Sequence, residues 1–369
     1  MPRTRRFFRP AWAEVDFKAL AFNARRLRAK LPGATKILFV VKANAYGHGL
    51  TAISRAAQNL RVCDFFGVSS VEEGLAVRDA GIRLPVLILG SLYPFESFAA
   101  AIKARLLPTV ASLDAARALQ AIARRRRSRV DCHLKLETGM NRIGATIPAA
   151  LAIARLLRRD PYVRITGAYT QLASADTDPR YTRLQLKIFS AGVQAVQGAL
   201  GRRVLLHAAN SAAATRYPES RLDMVRSGLA LYGLLEGFKP VLSLKCRLVF
   251  LKSVPPGSSV SYARTFISRR RTSVATLPLG YGDGLPRALS NRGRVLVQGR
   301  PCPIIGLIAM DMMMIDATDV RGARAGDEAV LLGRQGRAHL GVLDWSRLLG
   351  LSPYEVVCGL QARVPRLPR

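Results

Sequence analysis

The chain has little of what would tie it to a metal, a disulfide framework or a membrane. Its five cysteines (Cys63, Cys132, Cys246, Cys302 and Cys358) are odd in number, widely scattered in 369 residues, and form no CxxC or Cys/His cluster. That argues against both a disulfide scaffold and a zinc site. The four histidines, His48, His133, His207 and His339, are too dispersed for a metal site by spacing. No apolar run approaches the roughly 18 residues a membrane span needs. The opening "MPRTRRFFRPAWAEVD" carries arginines but no continuous apolar stretch resembling a signal peptide, so a cytoplasmic protein is expected. Acidic residues are scarce: 24 against 57 basic ones, for a net charge of +33. Such a field attracts nucleic acid at low salt. Yet the basic residues, 47 arginines and 10 lysines, spread along the whole chain, and the longest runs are Arg124 to Arg127 and Arg269 to Arg271. No element concentrates the charge with interleaved aromatics, so it is assigned to solvated faces and no nucleic-acid partner is expected.

What is present is a large apolar fraction, 49%, enough to bury a sizeable core in two domains. Eight short apolar or β-branched runs read as strands: 37–41, 65–69, 85–89, 106–110, 130–136, 164–170, 204–208 and 222–226. Amphipathic stretches at 70–81, 112–127, 147–160 and 181–200 lie between them. An alternating βα series of this length predicts a (β/α)₈ TIM-type barrel, and no GxGxxG opens the first unit to favour a doubly wound sheet. After about Pro240 the pattern changes to short strands rich in Gly and Pro, which predicts a C-terminal all-β domain. The expected division is a barrel over 11–240 and a β-domain over 241–369. The segment "AWAEVDF" precedes the first helix as an extra strand able to pair with the β-domain.

The run "ILFVV" (37–41) ends in Lys42, an ammonium at the end of a core strand. In a (β/α)₈ barrel that is the catalytic rim. The ordinary reading of a lone strand-end lysine is a side chain snorkelling to solvent. The surrounding "KANAYGHG", however, resembles the cofactor-lysine signature of bacterial alanine racemases, which hold pyridoxal 5'-phosphate as a Schiff base. The resemblance continues in order through "KLETGMNRIG" (135–144), "GAYTQLASAD" (167–176), "HAANSAAAT" (207–215), "VRSGLALYG" (225–233), "SYARTF" (261–266), "LPLGYGDGLPR" (277–287), "AMDMMMID" (309–316) and "YEVVC" with "RVPR" (354–366).

The resemblance implies a racemase interconverting L- and D-alanine, a source of D-alanine for peptidoglycan, acting as a homodimer with shared active sites. Inverting a stereocentre requires removing a proton from one face and returning one to the other, hence two bases. By resemblance these are Lys42 and, from the neighbouring subunit, Tyr262. Cofactor contacts are implied for Tyr46, Asn210, Ser211, Gly228, Leu229 and Tyr354. Arg226 is implied as the partner of the pyridine nitrogen, where an arginine does not give up its proton and so leaves the cofactor a weaker electron sink. Arg142 and the backbone N–H of Met310 are implied as substrate-carboxylate contacts, with Lys135 a candidate for carbamylation. No metal is implied. The sequence departs from the family at Gln171, where a histidine is usual. Glutamine neither takes a positive charge nor stacks as an aromatic. Alternatives on the same scaffold are a racemase of other or broader specificity, a cofactor-holding protein without catalysis, and a polyanion binder that keeps an inactive racemase scaffold. "SYARTF" speaks against the second, and the joint retention of Lys42, Arg142, Arg226 and Tyr262 against the third.

Overall fold

A computed structural model describes residues 8–369, so the opening "MPRTRRF", read above as unlike a signal peptide, lies outside the described residues. The chain divides into two compact units: Leu20–Ala45 with Leu50–Phe238, and the described part of Met1–Ala19 with Tyr46–Gly49 and Lys239–Arg369. Among the described residues no helix is long and apolar enough to cross a membrane.

The first strand, β1 (Ala11–Val15), pairs antiparallel with β10 (Leu242–Arg247) and parallel with Arg366–Pro368. "AWAEVDF" therefore builds the sheet of the second unit, although an 11–240 span counts it with the barrel. Its alternate residues Ala11, Ala13 and Val15 are buried, the period-2 pattern of a strand with one covered face.

In the first unit eight parallel strands follow: β2 (Lys36–Val40), β3 (Phe65–Val68), β4 (Val86–Ile88), β5 (Thr109–Val110), β6 (Val130–Lys135), β7 (Val163–Tyr169), β8 (Leu205–His207) and β9 (Met224–Ser227). They pair in the orders β4-β3-β2-β9 and β5-β6-β7-β8. Two seams close the ring. Leu107 bridges Val86 and Ile88 across β4 and β5, and Arg226 N–H donates to Ala209 O at 2.9 Å beside β8. All eight predicted runs thus become barrel strands. Strand β5 is the shortest, because Pro108 before it has no N–H to donate to a ladder.

The helices start where a side chain can cap them. Ser70, Ser112, Thr146 and Asp178 accept from the N–H groups that open the helices Val71–Asp79, Leu113–Arg125, Ile147–Leu157 and Pro179–Leu200. An N-cap of this kind contributes about 1 kcal/mol.

The second unit is mostly strands: a seven-stranded sheet, a three-stranded sheet and a two-stranded ribbon. It is not purely β. Two short helices, Val342–Leu349 and Pro353–Cys358, precede its last strand, the second opened by Ser352, Pro353 and Glu355 in a capping box. That signature is present in "SPYE" and escapes a reading based on strand period.

Candidate active site

In a parallel barrel the strands deliver their last residues to one rim. Register decides which of them meet. Lys135, Tyr169 and His207, the last residues of β6, β7 and β8, are direct partners across the three strands. Lys135 Nζ lies 5.4 Å from the centre of the Tyr169 ring, and that ring stacks on His207 at 4.6 Å and 11°. One layer below, His133 pairs with Gly167, where a Cβ would meet the imidazole at 2.6 Å. Only glycine leaves room for that ring.

Arg226 on β9 is the centre of the cluster, buried to 4% exposure. Its Nη1 donates to His207 Nδ1 (3.1 Å) and His207 O (3.0 Å). Its Nη2 donates to Thr170 O (2.7 Å), Ala208 O (3.0 Å) and Gln171 Oε1 (3.3 Å). Five neutral acceptors and no carboxylate hold the guanidinium. Burial draws its pKa down to about 10, which keeps it charged at neutral pH. His207 Nε2 meets His133 Nδ1 at 3.0 Å. Burial, with the Arg226 charge adding to it, pushes the His207 pKa well below its ordinary value, and burial brings His133 to about 4. The Tyr169 hydroxyl lies 2.8 Å from Thr109 Oγ1, and burial raises its pKa to about 12.

Lys135 is buried with no carboxylate within 4 Å among the described residues. Burial first, then the charges of Arg226, Arg142 and Lys42, bring its pKa down to about 8. Arg142 stands exposed in the following loop. Glu137 folds that loop by accepting from Gly139 N–H (2.6 Å) and Met140 N–H (2.7 Å), and the Tyr181 hydroxyl donates to Gly139 O at 2.7 Å.

Lys42, half-buried, stands two residues past the end of β2 and begins an unusual turn. Ala43, Asn44, Ala45 and Tyr46 all take left-handed φ angles of 49° to 54°. Each such residue costs roughly 1–2 kcal/mol, so other groups must hold the turn. Glu73 does so from the next βα unit. Its carboxylate accepts from Ala43 N–H at 2.7 Å and from Ser69 N–H at 2.7 Å, while Asn44 Oδ1 accepts from Leu50 N–H at 2.8 Å.

A second cluster forms where β8 and β9 end. Asn210, rather than Ser211, caps the helix Ser211–Arg216 by accepting from Ala213 N–H at 2.9 Å. That leaves Ser211 Oγ to accept from Gly228 N–H (3.0 Å) and Ala230 N–H (3.3 Å). Among the described hydrogen bonds the N–H groups of Ser211, Ala212 and Leu229 have no acceptor. Unengaged N–H groups at a helix start suit an anion such as a phosphate.

The remaining sequence-predicted residues belong to the second unit. Tyr46 and Tyr354 face each other with ring centres 5.3 Å apart. Tyr262 is 72% exposed, in a turn where Ser261, Ala263 and Arg264 have positive φ. With Tyr281, Arg287, Ile308 and Ala309 it lines a hollow of about 420 Å³. Met310 is exposed, its carbonyl accepting from Gly282 N–H at 2.9 Å.

Sequence reasoning missed the supports of Arg226: His207, His133, Tyr169 and Thr109. A signal was present in "VDCHLKL" and "VLLHA", where a histidine interrupts a buried strand and needs a polar partner. Among the described residues no His, Cys, Asp or Glu group could hold a metal.

The family description "Alanine racemase, N-terminal domain" matches residues 15–236, and "Alanine racemase, C-terminal domain" matches 241–368. The chain is 40% identical over 367 residues to an alanine racemase of Symbiobacterium thermophilum, covering 97% of each chain. Among solved structures it superposes on an alanine racemase of Clostridium difficile 630 with a TM-score of 0.93 at 31% identity, covering 99% of this chain and 97% of that one. An alanine racemase from a D-cycloserine-producing Streptomyces lavendulae gives a TM-score of 0.92 at 32% identity, covering 99% and 98%.

Proposed function

This chain belongs to the alanine racemase family, and from that premise we propose that Lys42 and Tyr262 are the two bases by which it interconverts L- and D-alanine. The observation that carries the reading is Arg226: a buried guanidinium held at the barrel rim by five neutral acceptors.

The rim fits pyridoxal 5'-phosphate. The unengaged N–H groups of Ser211, Ala212 and Leu229, with the Ser211 hydroxyl that Gly228 N–H orients, offer an anion a set of donors, and Gly228 and Leu229 line it as proposed cofactor contacts. Asn210 supports that set by capping the helix, and Tyr46 and Tyr354 are the further cofactor contacts we propose. Lys42 is the amine that would hold the aldehyde. When bound, this cofactor supplies the electron sink that lets the Cα proton of an amino acid leave.

The protein's own residues supply the rest. Arg226 would be the partner of the pyridine nitrogen, where a guanidinium keeps its own proton and so would not protonate the ring as a carboxylic acid partner would, which favours return of a proton to Cα over side reactions. Lys42 takes the Cα proton of D-alanine, and the partner subunit's Tyr262 takes that of L-alanine from the opposite face. Tyr262 is exposed and its hydroxyl makes no hydrogen bond among the described residues, as a base acting on a neighbour's substrate requires. Arg142 anchors the substrate carboxylate and polarises the phenol, and Met310 N–H adds a second contact. Lys135, with its pKa near 8, has a substantial neutral fraction that can add CO₂ and lose a proton; the resulting carbamate places an anion among Arg142, Arg226 and Lys42. Solution NMR with ¹³C-bicarbonate would show that carbamate, absent in Lys135→Ala.

The test offers L-amino acids to the protein in heavy water. Alanine should gain deuterium at Cα and lose optical purity faster than serine, valine or lysine. Faster racemisation of another member of the panel would overturn alanine as the substrate.

A further inference from the structure

The opposite end of the same barrel carries a cavity that the racemase chemistry does not use. It has a volume of about 550 Å³, and its lining includes Val130 and Val163, the first residues of β6 and β7. The rim residues Lys135 and Tyr169 are the last of those strands. Five arginines line the cavity, Arg105, Arg129, Arg158, Arg164 and Arg202, with two carboxylates, Asp131 and Asp160.

Both carboxylates are already engaged. Asp131 takes Arg164 in a two-pronged pair at 2.8 and 2.9 Å. Asp160 accepts from Tyr162 N–H (2.9 Å), Val163 N–H (2.7 Å) and Gln120 Nε2 (2.7 Å). Among the described residues no carboxylate lies within 4 Å of Arg105, Arg129, Arg158 or Arg202. Arg158 lies against Gly201, where a Cβ would meet its Nη2 at 3.3 Å, next to Arg202 in the chain.

The ordinary account of such arginines is that each offsets the negative end of a helix. Arg105, Arg158 and Arg202 do follow the helices Ser97–Lys103, Ile147–Leu157 and Pro179–Leu200. A helix C-terminus carries about half a negative charge. Three of them offset only about half of the formal +3 left by five guanidiniums over two carboxylates. The excess converges on one concavity whose wall is apolar: Ile102, Leu106, Leu157 and the half-buried ring of Tyr162. Guanidiniums suit phosphate oxygens in paired hydrogen bonds, and the volume falls within the roughly 300–1,000 Å³ of small-molecule sites.

We propose that this cavity is a binding site for a nucleotide polyphosphate, its phosphates held by Arg105, Arg129, Arg158 and Arg202 and its base seated on the apolar wall beside Tyr162. The site lies at the end of the strands away from Lys42, and the proposal does not depend on the racemase reading.

The test is calorimetric titration of the holoenzyme with ATP at about 0.15 M salt, where a general surface field is largely screened beyond about 8 Å. One ATP per chain should bind. Arg129→Ser/Arg202→Ser should weaken it about 100-fold, since a charge-assisted hydrogen bond contributes about 1.5 kcal/mol, near tenfold each. Arg321→Ser/Arg337→Ser, which removes the same charge from exposed arginines of the second unit, should change it less than about twofold. Arg129→Lys, retaining the charge, should lose no more than about tenfold and guards against a folding defect. Equal weakening in both double variants, or no saturable binding, would overturn the site. Inorganic triphosphate binding as tightly as ATP would overturn the seat for the base.

Discussion

Arg226 donates through Nη1 to Nδ1 of His207 at 3.1 Å, and that bond fixes the protonation of a buried chain. An arginine only donates, so His207 Nδ1 carries no proton and its Nε2–H donates to His133 Nδ1 at 3.0 Å. Both imidazoles are neutral, and neither can gain a proton at its bonded nitrogen without breaking a link that positions the guanidinium.

A dependence of stability on pH follows. His133 titrates near 4 in the folded state against about 6.5 when unfolded, and His207 is lowered in the same direction. Between those values the unfolded chain binds more protons, so stability falls as pH falls, by up to about 1.4 kcal/mol per pH unit for each histidine. The slope from each histidine halves at about pH 6.5 and fades to nothing by about pH 8. Urea unfolding of the native protein and of His133→Phe/His207→Phe at pH 7 and pH 5 checks this. The double variant should lose part of the pH 7-to-5 drop while being less stable at both values.

Lys42 should be the lysine that carries the cofactor. Purified protein should be yellow, and borohydride reduction followed by peptide mass analysis should place the adduct on Lys42. The Lys42→Ala protein should lose colour and racemase activity. An adduct on Lys135 or Lys36 instead would move the site.

Much of the barrel was legible because buried strands and amphipathic helices have different periods, and all eight predicted runs became strands. The pairing of "AWAEV" with the β-domain was legible as well, but its partner strand was not: register with Leu242–Arg247 across more than 200 residues leaves no local trace. At the site, motif residues such as Ser211 and Arg226 were readable, whereas their supports were not. His207 meets Arg226 and His133 meets Gly167 only through register between strands, which sequence spacing does not encode. The left-handed turn at Ala43–Tyr46 was hidden for another reason: alanine and tyrosine seldom adopt that conformation, and Glu73, 30 residues on from Ala43, helps to hold it there.

If the partner subunit's Tyr262 completes each site, activity should reappear when two inactive chains are mixed. Lys42→Ala and Tyr262→Phe proteins, each with racemase activity about 10²-fold or more below native, should regain roughly a quarter of native activity after subunit exchange at equal amounts, because half of the dimers are mixed and each owns one intact site. No recovery, with exchange proven by mass-tagged subunits, would remove the shared-site arrangement.

Gln171 accepts from Arg226 at 3.3 Å and donates to Leu172 O at 3.3 Å, so a neutral amide stands where the family usually has an imidazole. Its effect should fall on the phenol. If Tyr262 removes the proton of L-alanine and Lys42 that of D-alanine, Gln171→His should change the pH profile and Cα-proton isotope effect for L-alanine by more than for D-alanine. A mispositioned base forfeits part of the roughly 10²–10⁴-fold that general base catalysis contributes. Unchanged profiles in both directions would make Gln171 a neutral replacement.

Racemisation by two bases on opposite faces of one carbon is tested most directly by Tyr262→Phe in heavy water. With D-alanine, Lys42 should still remove and return a proton on its own face, so deuterium enters D-alanine while inversion falls by about 10²-fold or more. L-alanine should show neither exchange nor inversion at a comparable rate. Racemisation at the native rate in this variant, or exchange into L-alanine but not D-alanine, would contradict the assignment of the two bases.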